Sequence, residues 1–175
     1  MRQTNAPVSK LRIVSLGGVD EIGKNMTVFE YEDDIVVVDC GSIFPKEDML
    51  GIVLVIPDVS YLVAKKKNVR AYLLTHGHED HIGGIPYAMQ QFNCPIHGTR
   101  LTAGLVKLKL EEHHLERRVK LFTHEAGEVV KAGCFQVEFI HVNHSIADAV
   151  AFAVKTPVGT LIFSGDFKID AMAED

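Results

Sequence analysis

Six consecutive residues, His76-Gly77-His78-Glu79-Asp80-His81, carry three imidazoles and two carboxylates. They follow the apolar run Val69 to Leu74 and lead through Gly83-Gly84 into the apolar stretch Ile85 to Phe92. The run reads as a buried strand and the stretch as a helix, so the cluster falls on a strand-to-helix turn, where side chains converge without a regular face. Converging imidazoles and carboxylates suit zinc or manganese. In an extended stretch His76 and His78 point to one side and can grip one ion, while Asp80 and His81 can swing toward a second. Gly77, Gly83 and Gly84 are expected to let the backbone turn in conformations that a Cβ hinders. A lone His-x-His in a loop is more often solvated than metallated. The order His-x-His-x-Asp-His after a buried strand points instead to one metal site, with a second plausible.

Other residues of the same chemistry stand at strand ends. Ile35 to Val38 is wholly β-branched and is followed by Asp39, which reads as a strand buried on both faces with a carboxylate at its rim. Asp39 needs a partner, and a hydrogen bond to a metal-binding histidine would satisfy it and fix that ring's tautomer. His144 lies in a polar loop after the alternating strand Phe135-Val137-Phe139, and Asp166 follows the run Thr160 to Phe163 beside Gly165. His141 continues the alternation and belongs to its strand. His113 and His114 are adjacent in a helical stretch, diverge by about 100°, and read as surface residues. Strand ends on one rim of a layered α/β fold are where sites assemble.

The elements that position these groups read as follows. Strands are expected over Leu11 to Leu16, Met26 to Tyr31 and Ile35 to Asp39, the last two as a hairpin around Glu32-Asp33-Asp34. A loop-rich stretch from Gly41 to Pro57 precedes a short amphipathic helix, Val59 to Lys67. Cys94 to Gly98 is a short strand and turn. Thr102 to Arg118 reads as a helix whose apolar side is Leu101, Leu105, Leu108 and Leu115. Beyond Val119 the period is two, ending in strands Ala149 to Lys155 and Thr160 to Phe163 around the hairpin Thr156-Pro157-Val158-Gly159.

With 175 residues the chain is expected to be one domain with a substantial core. No apolar run approaches the roughly 18 to 20 residues of a membrane helix, and Met1 to Pro7 lacks the apolar core of a secretory signal. Three scattered cysteines, Cys40, Cys94 and Cys134, fit small apolar filler in a reducing compartment, so a cytoplasmic location is expected. The formal charge of -5 argues against coating nucleic acid by bulk charge. Lys65-Lys66-Lys67 with Arg70, and Lys107, Lys109, Arg117, Arg118 and Lys120, read as solvated helix faces, and any RNA must be held locally.

Taken together, Asp39, the His76 to His81 cluster, His144 and Asp166 resemble the motifs of the metallo-β-lactamase fold, an αββα sandwich. The strings Leu16-Gly17-Gly18-Val19-Asp20-Glu21-Ile22-Gly23-Lys24-Asn25-Met26, Phe44-Pro45 through Ile56-Pro57-Asp58, His76 through Tyr87, Val142-Asn143-His144-Ser145-Ile146 and Gly165-Asp166-Phe167-Lys168-Ile169-Asp170 resemble the ribonuclease J family of the β-CASP nuclease branch. That resemblance implies two divalent ions, zinc first, with manganese or magnesium as alternatives. It places His76, His78 and His144 on one ion, Asp80 and His81 on the other, and Asp166 between them, with Asp80, His81 and Asp166 catalytic and Asp39 behind the ligands. The implied reaction is hydrolysis of RNA phosphodiesters, 5′-to-3′ and internal, by a hydroxide held between the ions. RNA and RNA-processing proteins are the implied partners, and the substrate-binding residues are not identified. Asp20 stands where the family usually has Gly, and Ala147 where Pro is usual.

In that family the domain is completed by later segments, including a further metal-binding His. Residues 1–175 are therefore expected to be an N-terminal portion of a metallo-β-lactamase domain, incomplete at its C-terminus, with weak activity alone and self-association through exposed apolar surface. Two other functions share the ligand set: a small-molecule hydrolase acting on a thioester, lactone or β-lactam, and a non-catalytic module with a vestigial site.

Overall fold

The computed structural model describes residues 9–47 and 49–169. The leader Met1 to Pro7, Asp170 of the last string and Ala173-Glu174-Asp175 lie outside the described residues. In chain order the elements are β1 (Leu11–Gly17), β2 (Met26–Tyr31), β3 (Asp34–Val38), α1 (Ser60–Ala64), β4 (Val69–Leu73), α2 (Glu79–Ile82), α3 (Ile85–Gln91), β5 (Ile96–Thr99), α4 (Arg100–Glu112), β6 (Leu121–His124), β7 (Val129–Ala132), β8 (Phe135–His141), β9 (Val150–Thr156) and β10 (Gly159–Phe163). Six strands form a mixed sheet in the order β1-β2-β3-β4-β5-β6, antiparallel at β1-β2-β3 and parallel beyond. The other four form an antiparallel sheet, β10-β9-β8-β7.

The central strand β3 shows why the layers stack as they do. Ile35 and Val37 pack against Leu62, Ile82, Ile85, Met89 and Val106 of the helices, while Val36 and Val38 pack against Phe135, Val137, Phe139 and Phe152 of the second sheet. A β-branched run with no polar face belongs in such a doubly covered position. The result is the expected α/β layering, helices on sheet on sheet. Among the described residues no helix covers the outer face of the four-stranded sheet, and none is long and apolar enough to cross a membrane.

Three expectations change. The helix expected over Val59 to Lys67 is shorter, Ser60–Ala64. The helix expected to run to Arg118 ends at Glu112, because His114 takes φ 56° and the chain closes a Schellman cap: Leu115 N–H donates to Leu110 O and His114 N–H to Glu111 O. Leu115 is buried by that cap, not by a further helical turn. Finally, the buried side of α4 is Thr102, Ala103, Val106 and Leu110, while Leu101 and Leu108 face solvent. Small residues let the helix approach β5 and β6 closely, and a leucine stripe there would hold it away.

Candidate metal centre

The groups of the candidate centre stand on one rim, where β3, β4, β8 and β10 end and β9 begins. Asp39 follows β3 in a left-handed conformation, φ 60°, which Asp tolerates because its short side chain bonds locally. His76 and His78 lie on the stretch leaving β4, with His78 extended just before α2, and Asp80 and His81 lie on that one-turn helix. The turn is stapled by backbone bonds from four donors: Asn25 N–H to Asp80 O, Ser42 N–H to Glu79 O, Cys40 N–H to His81 O and Gly84 N–H to Cys40 O. His144 and Asp166 arrive from the second sheet, and their loops are joined by Lys168 N–H to Asn143 O.

The glycines act differently from expectation. None of Gly77, Gly83 and Gly84 is left-handed. They supply room: a Cβ on Gly83 would fall 1.9 Å from Ser42 Oγ, one on Gly84 2.7 Å from Gly41 O, and one on Gly77 2.5 Å from Leu105 Cδ1. Gly41 is tighter still, with a Cβ position 1.6 Å from Asp80 O.

Asp39 is buried and accepts three hydrogen bonds of 2.8 Å, from Thr75 N–H, Thr75 Oγ1–H and His81 Nδ1–H. The bond from His81 keeps a proton on Nδ1 and turns Nε2 toward the rim, so that an ion there would displace only the Nε2 proton. Thr75 extends the same control, since Oγ1, donating to Asp39, accepts from His76 Nδ1 at 3.0 Å. One carboxylate thus sets two rings. Nothing in the spacing of the sequence marks Thr75 for this task.

Donor atoms of His76, His78 and His144 lie within 4.8 Å of one another, as do those of His76, His81 and Asp166. Asp166 Oδ2 is 3.6 Å from His81 Nε2 and 3.9 Å from His144 Nε2, so one carboxylate touches both halves. Asp80 Oδ2 is 3.6 Å from His81 Nε2 and stands outside those two tight groups. Burial holds His76 neutral, with the charge of His81 helping, down to about 4. Burial also lowers His144. In His81 burial opposes the imidazolium too, but the carboxylates of Asp39, Asp80 and Asp166 outweigh it and push the ring up to about 9. Both ring nitrogens of His144 are buried without a hydrogen-bond partner. An orphaned nitrogen beside two converging imidazoles fits a cation, which takes the lone pair that no protein N–H or O–H here meets.

The remaining candidates lie elsewhere. His141 is exposed at the end of β8, and His113 and His114 sit at the end of α4. Several lysines and arginines of the two basic groups are engaged: Lys65 with Glu30 and Tyr61, Arg70 with Asp34, Lys109 with Glu79, Lys107 with Glu111. Cys40 and Cys94 are buried free thiols.

A family model described as the metallo-beta-lactamase superfamily matches residues 19–171, and the chain belongs to that superfamily. Among curated proteins it is similar to ribonuclease J: 48% identical to ribonuclease J of Synechocystis sp. over 95% of this chain and 26% of that protein, and 42% to ribonuclease J2 of Bacillus subtilis over 91% and 29%. The chain thus spans between a quarter and a third of the length of these relatives. Solved structures share the fold: a protein of unknown function from Enterococcus faecalis V583 (TM-score 0.70, 20% identity, 90% of this chain, 44% of that one) and the metallo-beta-lactamase fold protein YhfI from Bacillus subtilis (TM-score 0.60, 18% identity, 92% and 64%).

Proposed function

We propose that this chain is the metal-binding portion of a metallo-β-lactamase domain in a ribonuclease J-type enzyme, which hydrolyses RNA phosphodiesters by 5′-to-3′ exonucleolytic and endonucleolytic cleavage. The observation that carries the reading is the 48% identity to a ribonuclease J over 95% of the chain. Reading residues 1–175 as part of a larger enzyme follows from the 26% to 29% of those relatives that the chain spans.

His76, His78 and His144 would hold one divalent ion and His81 with Asp80 the other, Asp166 reaching both; zinc suits this nitrogen-rich set, with manganese or magnesium as alternatives. When bound, such a pair acidifies water and steadies charge on the attacking and leaving oxygens of an in-line displacement at phosphorus. The protein's part is positional. Asp39 and Thr75 keep the His76 and His81 lone pairs outward, Asp166 ties the second sheet to the first at the reacting point, and Asp80, partly exposed, has an oxygen free to orient the attacking water. The buried free thiols agree with a cytoplasmic location.

The test is cleavage of a 5′-monophosphorylated, labelled RNA by the metal-loaded chain and by a longer protein containing it. Nucleotide release from the 5′ end and internal cuts are expected, weak for the chain alone and lost in Asp166→Ala. Turnover of a thioester, lactone or β-lactam with RNA left intact would transfer the reading to a small-molecule hydrolase. Self-association is also expected. A cleft of about 490 Å³ opens between the sheets beside β1 and β10, lined by Asp39, His81 and Asp166 as well as apolar side chains, and it exposes Ile13 and Ile162. Elution of the purified chain as a clean monomer in gel filtration would refute it.

A further inference from the structure

A glycine pair, Gly17-Gly18, stands where β1 ends, and the metal centre so far has used neither. A Cβ on Gly17 would fall 2.1 Å from Lys24 O, and one on Gly18, which has φ 84°, would fall 2.4 Å from Asn25 Oδ1. The glycine pair makes room for Asn25. Its backbone bonds to both sides of the metal turn, N–H to Asp80 O and carbonyl from Gly41 N–H, each at 3.0 Å. Its side chain goes further, with Nδ2 3.1 Å from Asp80 O, 3.3 Å from Asp80 Oδ2 and 3.1 Å from His81 Nε2. The two Asp80 oxygens only accept, which places the amide nitrogen, not the oxygen, on this side. The firm partners of that amide are therefore the two Asp80 oxygens, with His81 Nε2 close beside it.

We propose that Asn25 is a positioning residue of the half-site formed by Asp80, His81 and Asp166, its amide holding the Asp80 carboxylate toward His81 Nε2, where a divalent ion would be bound. The inference rests on the two-ion reading above. A carboxylate that is partly exposed, as Asp80 is, loses rotamer freedom when it binds an ion, and a fixed donor on one of its oxygens removes part of that cost beforehand. The amide keeps its hold on Asp80 whether or not an ion is bound at His81 Nε2.

The experiment compares wild type, Asn25→Ala and Ser42→Ala by calorimetric zinc titration, elemental stoichiometry and thermal melting with and without zinc. Ser42→Ala removes a bond to the same turn, Ser42 Oγ–H to Glu79 O, without touching a ligand atom. Asn25→Ala should bind one ion as wild type does and the other about tenfold more weakly, with a smaller zinc-induced rise in Tm. Ser42→Ala should leave both affinities within about twofold. Asn25→Ser, whose hydroxyl is too short to reach Asp80 Oδ2, should behave as Asn25→Ala and replaces it should that variant not fold. Two ions bound with unchanged affinities in the Asn25 variants, or equal losses in Ser42→Ala, overturn the inference while leaving the two-ion reading intact. Fewer than two ions in a longer wild-type protein containing this chain overturns both.

Discussion

Replacing Asp39 by Asn tests the control of both rings with little change of shape. Asn tolerates the left-handed backbone of position 39 as well as Asp does, so the substitution isolates the hydrogen-bond pattern. The backbone N–H of Thr75 is a fixed donor, so the amide oxygen must take the place of Oδ1, and NH2 falls where Oδ2 now accepts from Thr75 Oγ1 and His81 Nδ1. His81 then faces a donor across 2.8 Å and moves its proton to Nε2, the nitrogen needed by the ion. Thr75 Oγ1 accepts from the new amide and turns its own proton to His76 Nδ1, inverting that ring too. Forcing either ring back costs about one hydrogen bond: roughly 1.5–3 kcal/mol at His81, where a carboxylate was the acceptor, and roughly 1 at His76. The expected loss is about 10- to 100-fold in affinity for the His81 ion and up to about tenfold for the His76 ion, measured by chelator competition with stoichiometry by elemental analysis. Thr75→Val cuts only the His76 branch and should weaken one ion alone. Both ions bound by a folded Asp39→Asn protein within about threefold of wild type would refute the account of the two rings.

Gly41→Ala should lower stability by about 3 kcal/mol or more in denaturant melts and weaken zinc binding, because the new methyl meets the Asp80 carbonyl and the turn must shift; a melt within 1 kcal/mol of wild type, roughly a surface effect, would show that the turn gives way. Leu110→Ala should cost about 2–5 kcal/mol and Leu108→Ala within about 0.5, since Leu110 is buried under α4 and Leu108 is 57% exposed; equal costs would reverse the assignment of the faces. His97 gives a pH dependence. Burial and the neighbouring His124, whose Nε2 lies 2.9 Å from His97 Nδ1, depress its ring to about 4, below the roughly 6.5 of an unfolded chain. Unfolding therefore takes up a proton between those values: the stability is fully present above about pH 6.5 and is lost as pH falls toward 4, by about 1–2 kcal/mol after allowance for solvent screening. His97→Phe, which can keep the stack on Phe122, should flatten the stability curve over that window, and an unchanged slope would refute the assignment.

What the sequence made legible followed from local rules. A strand of nothing but β-branched residues has no polar face, so β3 had to be covered twice, and the carboxylate after it had to find an acceptor's work inside; Asp39 does both. The order His-x-His-x-Asp-His needed only a strand and a turn to converge. The misreadings arose where a tertiary neighbour decided the outcome. The leucines of α4 are a real helical stripe, but the sheet selected the opposite side because Thr102 and Ala103 let the helix come close. The glycines of the metal turn were read as backbone hinges, and the space they leave is occupied by Ser42, Gly41 and Leu105, residues distant in sequence from at least one partner. Thr75 and Asn25 carry no spacing signal at all: one acts through a hydroxyl between a carboxylate and a ring, the other by crossing from the residue before β2 to a turn 55 residues later. Ligands must share an element or a rim and so leave a pattern in the chain, whereas the groups that orient them need only one hydrogen bond each and can come from anywhere the fold brings a donor.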